Sequence, residues 1–158
     1  MGPDGTTTCA PTTADMFTCE LDGTGTHTIL VSDQAGSRSG AYGFDRQQLD
    51  DGLGCQRLWP EARALQESIV AAGEIDCFSL ESFYYPVPRL AIMRARASSG
   101  TLSPVVEVLR PDGTVICGPV PGDRWLGCGV GDVGASHRMI LVYDTTGTGT
   151  GNYDLDVN

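Results

Sequence analysis

The chain has 158 residues, enough for one domain or one domain with part of another, and too few for two large independent domains. Its formal net charge is −10 and its ten basic residues are all arginine, so nucleic acid and anionic membranes are unfavourable partners. Glycine (21) and proline (9) are frequent, and no apolar stretch of about 18 residues occurs, which predicts short strands, tight turns and no membrane insertion.

The first segments of the chain recur near its end. Pro-Asp-Gly-Thr-Thr-Thr-Cys-Ala-Pro at 3–11 returns as Pro-Asp-Gly-Thr-Val-Ile-Cys-Gly-Pro at 111–119, and Ile-Leu-Val-Ser-Asp at 29–33 returns as Ile-Leu-Val-Tyr-Asp at 140–144. After the second block, both copies continue as Asp-x-x-Gly-x-x-x-Gly-x-Tyr-x-x-Asp. Two blocks in the same order predict a tandem repeat. The expected organisation is the C-terminal half of one repeat at 2–49, a linker at 50–54 and a complete repeat at 55–158.

Short segments with alternating side chains predict the strands of the complete repeat. We expect strands at 74–81, 89–97, 104–109, 114–117, 138–144 and 152–157. Alternation places Met93 inside, puts Glu107 opposite its two valine neighbours, and leaves Arg138 at the solvated start of its strand. One helical turn is expected at 60–66. Regularly spaced strands with glycine-rich turns predict an all-β fold, an antiparallel jelly-roll-like β-sandwich with one full repeat plus a C-terminal half-repeat.

Several motifs of the complete repeat carry a family resemblance. They are Gly-Glu-Ile-Asp-Cys-Phe at 73–78, Ser-Gly-Thr-Leu-Ser-Pro at 99–104, Pro-Asp-Gly-Thr at 111–114, Ile-Leu-Val-Tyr-Asp at 140–144 and Gly-Asn-Tyr-Asp-Leu at 151–155. Together they resemble the bacterial pre-peptidase C-terminal (PPC) domain, which is similar in fold to the collagen-binding domains of bacterial collagenases. The resemblance implies an exported β-sandwich without catalytic activity, attached to secreted enzymes or arrayed in surface proteins. Where that family usually has a short Ala-Gly-Asp-like turn, this chain has Phe-Tyr-Tyr-Pro-Val-Pro at 83–88.

The six cysteines are predicted to form three local disulfides. No Cys-x-x-Cys motif or histidine pair at zinc-finger spacing occurs, which argues against a metal cluster. Matching positions in the two copies pair four cysteines and leave two for each other. The predicted bridges are Cys9–Cys19, Cys55–Cys77 and Cys117–Cys128. Because disulfides persist in oxidising compartments, they favour an extracellular or cell-surface location, whereas free buried thiols would suit a cytosolic protein.

The sequence gives no support for an enzyme. The only histidines are His27 and His137, and the repeat does not align them with each other. No Gly-x-Ser-x-Gly motif is present, and the acidic residues lie mostly in turns rather than as a catalytic pair. We therefore predict no catalytic residues, and we interpret both histidines as structural.

Two sets of residues are candidates for non-catalytic binding. The first set brackets a glycine-rich loop in each copy and could offer oxygen ligands to Ca²⁺ as an accessory ion, although aspartate is also common in turns. Its members are Asp33, Asp45, Asp144 and Asp156. The second set is aromatic and could stack on sugars or anchor a protein, although about half of it would suit the core. Its members are Trp59, Phe83, Tyr84, Tyr85 and Trp125.

These observations predict a secreted bacterial structural or adhesive repeat of an extracellular array or filament. The alternative is a carbohydrate- or protein-binding accessory module of a secreted enzyme. Neighbouring repeats or identical chains are the expected partners, with polysaccharide or extracellular protein under the alternative. In the half-repeat, apolar residues such as Ile29, Val31, Tyr42 and Phe44 lack strands to cover them. We expect another chain or the full repeat to complete that half, because unpaired strand edges invite pairing.

Overall fold

The chain divides into two units, Met1–Tyr42 and Gly43–Asn158. The structure is a computed structural model and describes residues 1–14, 16–21, 23–49, 54–58, 64–81, 90–129 and 137–158. The part of the chain that it describes contains no helix with the length and apolar character needed to cross a bilayer.

The second unit is a two-sheet β-sandwich. Over its described residues it has nine strands: β1 (Gln56–Leu58), β2 (Ala64–Ile69), β3 (Ile75–Glu81), β4 (Leu90–Ala97), β5 (Pro104–Leu109), β6 (Val115–Pro121), β7 (Leu126–Gly129), β8 (His137–Asp144) and β9 (Gly151–Val157). The five-stranded sheet has the order β1-β3-β8-β5-β6, and the four-stranded sheet has the order β2-β9-β4-β7. Only β1 and β3 pair in parallel among the described strands. The predicted all-β sandwich is confirmed.

The main core lies where the inward faces of the two sheets meet. Strand β4 alternates between buried and more exposed side chains, and Met93 is fully buried as predicted. The largest apolar side chains of this core come from both sheets and include Phe78, Met93, Val106, Val108, Ile140, Val142, Tyr153 and Leu155. Burying such side chains is worth roughly 1.5–3 kcal/mol each, which makes this layer the main source of the unit's stability.

A second apolar cluster covers the other face of the five-stranded sheet. It contains Cys77, Leu109, Met139 and Leu141, and Leu49 packs against it from the segment before β1. This cover explains why Glu107, which points away from the main core as predicted, is nevertheless buried. Its carboxylate accepts a hydrogen bond of 3.2 Å from the hydroxyl of Tyr143.

The three disulfides connect the cysteine pairs that the repeat predicts. Cys9–Cys19 closes a loop in the first unit, Cys55–Cys77 ties the segment before β1 to β3, and Cys117–Cys128 joins β6 to β7. Because β6 and β7 belong to different sheets, the last bridge fastens the two layers of the sandwich together.

Two expectations within the second unit are wrong. The described part of the segment expected to be a helical turn, residues 64–66, belongs to β2, because it pairs with β9; the rest of that segment lies outside the described residues. Arg138 is not at a solvated strand start, since only 1% of it is exposed. It sits between β3 and β5 on a strand paired on both sides, and one guanidinium nitrogen donates to the His137 carbonyl oxygen at 3.1 Å.

The first unit has turns but no strand among its described residues. The strands expected from the recurrence of β8 and β9 are therefore not formed there. Its Ile29-Leu30-Val31 segment is exposed. The unit nevertheless contains the expected disulfide and two well-defined turns, at Asp4–Gly5 and at Asp33–Gly36.

Candidate binding surface

The outward face of the four-stranded sheet carries an unusual combination of charged and apolar side chains. Alternation along β4 directs Leu90, Ile92, Arg94 and Arg96 away from the core. The neighbouring strand β9 brings acidic side chains to the same face, opposite the two arginines in the antiparallel register. The sequence therefore builds rows of opposite charge across the sheet.

Two ion pairs neutralise the charges of this face. Arg94 donates two hydrogen bonds to one carboxylate oxygen of Asp156, at 3.2 and 2.6 Å. In the next row, Arg96 lies 3.3 Å from a carboxylate oxygen of Asp154, whose other oxygen accepts from Gln66 at 3.3 Å. Solvent-accessible pairs at a protein surface contribute at most about 1 kcal/mol each, so the main effect of these two is to fix side-chain positions.

Trp125, on the loop before β7, lies beside the ion pair of Arg94 and Asp156 and contacts Arg94. The carbon atom of the Arg94 guanidinium lies 4.3 Å from the centre of the indole ring, a cation–π contact that holds the ring in place. The Trp125 side chain is still 48% exposed. A fixed and partly exposed indole is suited to stacking on a sugar ring or anchoring a protein.

Exposed apolar side chains lie beside this indole on the same sheet. Leu90 and Ile92 are exposed on β4, and the adjacent positions of β7 are Gly127 and Gly129, which add no side chains. We define the Trp125 surface as Leu90, Ile92, Arg94 and Trp125. The glycines keep it flat, so an extended ligand could lie across it.

Of the five predicted aromatic residues, only Trp125 can be placed on this surface. Trp59 and the Phe83-Tyr84-Tyr85 segment lie outside the described residues. The sequence shows that this segment precedes β4 by a few residues, but the predicted cluster as a whole stays a prediction.

The four predicted calcium ligands are distributed over separate places. Asp144 ends β8 in the five-stranded sheet, whereas Asp156 lies on β9 in the other sheet and pairs with Arg94. Asp33 belongs to the first unit and Asp45 to the second. Among the described residues, no group of three or more acidic, histidine or cysteine side chains has an arrangement that could hold a metal ion.

Asp144 serves as a hydrogen-bond acceptor for the loop that follows it. Its buried carboxylate accepts from the backbone N–H groups of Ser103, Thr146, Thr148 and Gly149 and from the Thr146 hydroxyl, over 2.6 to 3.2 Å. Burial alone would raise the pKa of Asp144, but these hydrogen bonds together hold it well below its usual value. The carboxylate therefore organises the β8–β9 connection.

A group of acidic residues at one end of the sandwich was not predicted. Asp76 on β3 is half-buried, and this partial burial raises its pKa, with a further contribution from the nearby charges of Glu74, Glu67 and Asp45. The hydroxyl of Tyr153 on the opposite sheet donates to Asp76 at 2.6 Å and partly offsets the effect. These residues come from separate segments, so no sequence motif marks them.

The two histidines lie in different units. His27 belongs to the first unit, where its ring lies 3.5 Å from the Gly23 carbonyl oxygen, and His137 begins β8 in the second unit. No protein-family model matches the sequence, and no curated protein matches it at a significant level.

Proposed function

We propose that this protein is a non-catalytic structural or adhesive repeat of an extracellular array. The observation that supports it is the recurrence of one disulfide and two turn segments within a single chain. Recurring units serve to extend a structure, since each adds another link of the same kind. The three disulfides suit an oxidising environment outside the cell.

A load-bearing link should unfold cooperatively under tension, and this can be measured by pulling the chain from its two ends. We expect a single unfolding step for the second unit. With the disulfides intact, the released length excludes the loops closed by Cys55–Cys77 and Cys117–Cys128, whose sequence separations are 22 and 11. Reduction should lengthen the step by about 3.5 Å for each residue freed. Gradual extension without a step would contradict a mechanical role.

The Trp125 surface supports a second candidate, a carbohydrate- or protein-binding accessory module. Binding to insoluble polysaccharides, such as cellulose and chitin, would test it by co-sedimentation of the full chain. Retention that Trp125→Ala abolishes would favour this candidate over the structural one. Val115→Ala is a matched control, because Val115 is 46% exposed on the other sheet. Equal recovery of all three proteins in the supernatant would count against polysaccharide binding.

The absence of catalysis is itself a prediction that can be tested. We expect no turnover of peptide, ester or glycoside substrates by the oxidised full chain. Activity that disappears in His27→Ala or His137→Ala would contradict the proposal, because both histidines are interpreted as structural.

A further inference from the structure

The first unit reproduces the β5–β6 turn of the second unit hydrogen bond by hydrogen bond. Around Asp4, the N–H of Thr6 donates to the side chain at 3.0 Å, and the N–H of Gly5 donates to the Gly2 carbonyl oxygen at 3.0 Å. Around Asp112, the corresponding bonds are 2.9 Å each. The φ angles of the turn glycines, +82° at Gly5 and +80° at Gly113, also agree.

The loop after β8 is reproduced in the same way. Asp33 accepts from the N–H groups of Ser37 and Arg38 with one carboxylate oxygen, as Asp144 does from Thr148 and Gly149. The glycine three residues after each aspartate donates to its backbone carbonyl oxygen, at 3.0 Å in the first unit and 3.1 Å in the second. The local structure of the repeat therefore forms in both copies.

One pair of hydrogen bonds in the first unit has an equivalent among the strand pairings of the second unit. It shows which residues of the two units correspond. The N-terminal ammonium group of Met1 donates to the Thr28 carbonyl oxygen at 2.7 Å, and the Thr28 N–H donates to the Met1 carbonyl oxygen at 2.9 Å. The equivalent residues of the second unit are Leu109 and Met139, which are partners in the β5–β8 register. By this register and the disulfides, the segments 7–13, 17–20, 26–33 and 40–46 correspond to β6, β7, β8 and β9.

The topology of the second unit explains why these segments are not strands. Six of its seven strand pairings join one of β1–β5 to one of β6–β9, and the seventh joins β1 to β3. Within the described residues, β6, β7, β8 and β9 never pair with one another. A half containing only their equivalents has no internal partner for any of its segments.

The apolar side chains of the first unit also lack strands that would cover them. Ile29, Leu30 and Val31 are 54%, 73% and 52% exposed, whereas their equivalents Ile140, Leu141 and Val142 are at most 4% exposed. Tyr42 is 69% exposed, whereas its equivalent Tyr153 is fully buried. The residues that would fill a sandwich core are present, but the strands that would cover them are not.

We propose that the first unit is a binding site for the β1–β5 half of a repeat of this type that has no β6–β9 half of its own. The six inter-half pairings would supply backbone hydrogen bonds, and the covered apolar residues would supply the buried area. This assignment deepens the structural-repeat proposal by naming the partner.

A second copy of residues 1–158 cannot be that partner. These residues contain one β1–β5 half, and the β6–β9 half of the second unit already occupies it. If one copy offered this half to the first unit of another, it would release a β6–β9 half that is then uncovered in turn. Any number of copies leaves as many uncovered halves as there are chains, so self-association gains no sandwich.

The test supplies the missing half to the full chain. A second copy of residues 54–108 is placed directly before Met1, because Met1 corresponds to Leu109. Amide hydrogen exchange is then compared between the extended and the original chain. We expect exchange at Ile29 and Val31 to slow by on the order of 100-fold or more, as in a paired central strand. The exchange of Ile140 and Val142 serves as the internal reference and should not change.

A matched control carries Val106→Pro in the added segment only. That residue belongs to the β5 copy, whose pairing with the equivalent of β8 a proline would disrupt, so the slowing should be lost. Unchanged exchange at Ile29 and Val31 in the extended chain would overturn the proposal. Slow exchange at Ile29 and Val31 in the original chain would also overturn it. This holds whether the chain is then a monomer or shows slow exchange only at concentrations where light scattering detects association. The force measurement on the second unit is independent of all these outcomes, so the two proposals can fail separately.

Discussion

The carboxylate of Asp144 joins the loop between β4 and β5 to the loop between β8 and β9. It accepts from Ser103 at the end of the β4–β5 connection and from three residues of the β8–β9 connection. Buried N–H groups that lose their acceptor cost about 1–3 kcal/mol each. We expect Asp144→Ala to lower the free energy of unfolding of the second unit by about 3 kcal/mol or more, measured by urea denaturation.

Asp33→Ala is the matched control, because Asp33 makes two of the same hydrogen bonds in the less buried turn of the first unit. Its loss should change the unfolding of the second unit by less than about 0.5 kcal/mol. Equal effects of the two substitutions would show that burial of the Asp144 site does not determine its contribution.

Three carboxylates with shifted pKa values, those of Asp76, Glu107 and Asp144, should give the free energy of unfolding a maximum in mildly acidic solution. The pKa of Asp144 is lowered, so its contribution is present above the usual aspartate pKa and is lost as the pH falls through the lowered value. Burial raises the pKa values of Asp76 and Glu107, so their contributions are present below the usual values of 3.8 and 4.5. These contributions are lost as the pH rises through the raised values.

Urea titrations across the acid range would separate these groups. Asp76→Asn and Glu107→Gln keep acceptors for the two tyrosine hydroxyls, and they should flatten the neutral side of the profile. Asp144→Asn should flatten the acid side. The free energy of unfolding could also fall toward neutral pH just as steeply in the variant that carries both Asp76→Asn and Glu107→Gln. In that case general charge repulsion, rather than these two carboxylates, would cause the fall.

At the scale of elements, the β4–β5 turn packs against the start of β9 through glycine. Gly100 has a φ of +81°, and a Cβ there would overlap the Thr150 carbonyl oxygen. Since Thr101 also donates to that oxygen at 2.8 Å, the two backbones cannot separate without losing a hydrogen bond. We expect Gly100→Ala to cost about 3 kcal/mol or more in unfolding experiments.

Gly147→Ala is the control for the backbone angle alone. Gly147 has a φ of +70°, but a Cβ there would meet nothing within 4 Å. Its cost should be about 1 kcal/mol. If both variants lost the same stability, the cost at Gly100 would come from backbone strain rather than from the close approach of Thr150.

The disulfide between β6 and β7 should stabilise the sandwich far more than its counterpart in the first unit. Replacing Cys117 and Cys128 together by alanine removes the covalent link between the sheets, and a loop of this length is worth about 2–3 kcal/mol. The same change at Cys9 and Cys19 should leave the unfolding of the second unit unchanged within about 0.5 kcal/mol. Urea unfolding followed by tryptophan fluorescence would compare the two double variants, and similar losses would contradict this expectation.

The sequence predicts those elements whose signals are local. Alternation and turn residues locate β3, β4, β5, β8 and β9 to within about two residues, and repeat register predicts all three disulfides. Strand β7 was missed because half of its residues are glycine, and β2 because its apolar and polar residues do not alternate. The burial of Arg138, the acidic end around Asp76 and the Arg94–Trp125 contact all depend on neighbours that are distant in sequence.

The half-repeat shows that a local sequence signal is not sufficient to form a strand. Residues 29–33 have nearly the sequence of the core strand β8, and their turn forms with the same hydrogen bonds. They are nevertheless not a strand, because strand structure requires partners from the other half. Turns were therefore predictable in both copies, but strands only in the copy that contains β1–β5.

At the scale of the whole molecule, the charge of −10 should make the melting temperature depend on salt in general rather than on calcium. Screening reduces repulsion between the carboxylates, and Ca²⁺ acts in the same way unless a site holds it. We expect millimolar CaCl₂ and NaCl of equal ionic strength to raise the melting temperature equally, within about 1 °C. A steep rise specific to Ca²⁺ that disappears in Asp144→Ala or Asp156→Ala would instead identify a calcium site.

The interleaving of the two halves also determines when the protein can fold during its synthesis. When the ribosome has released β1–β5, the short parallel pairing of β1 with β3 is the only strand pairing of the described residues that can form. Both sheets must wait for β8 and β9, the last strands to emerge, and their contacts span most of the unit. The nascent half therefore keeps its apolar strands exposed until β8 and β9 have been synthesised, and until then any free β6–β9 half nearby could capture it.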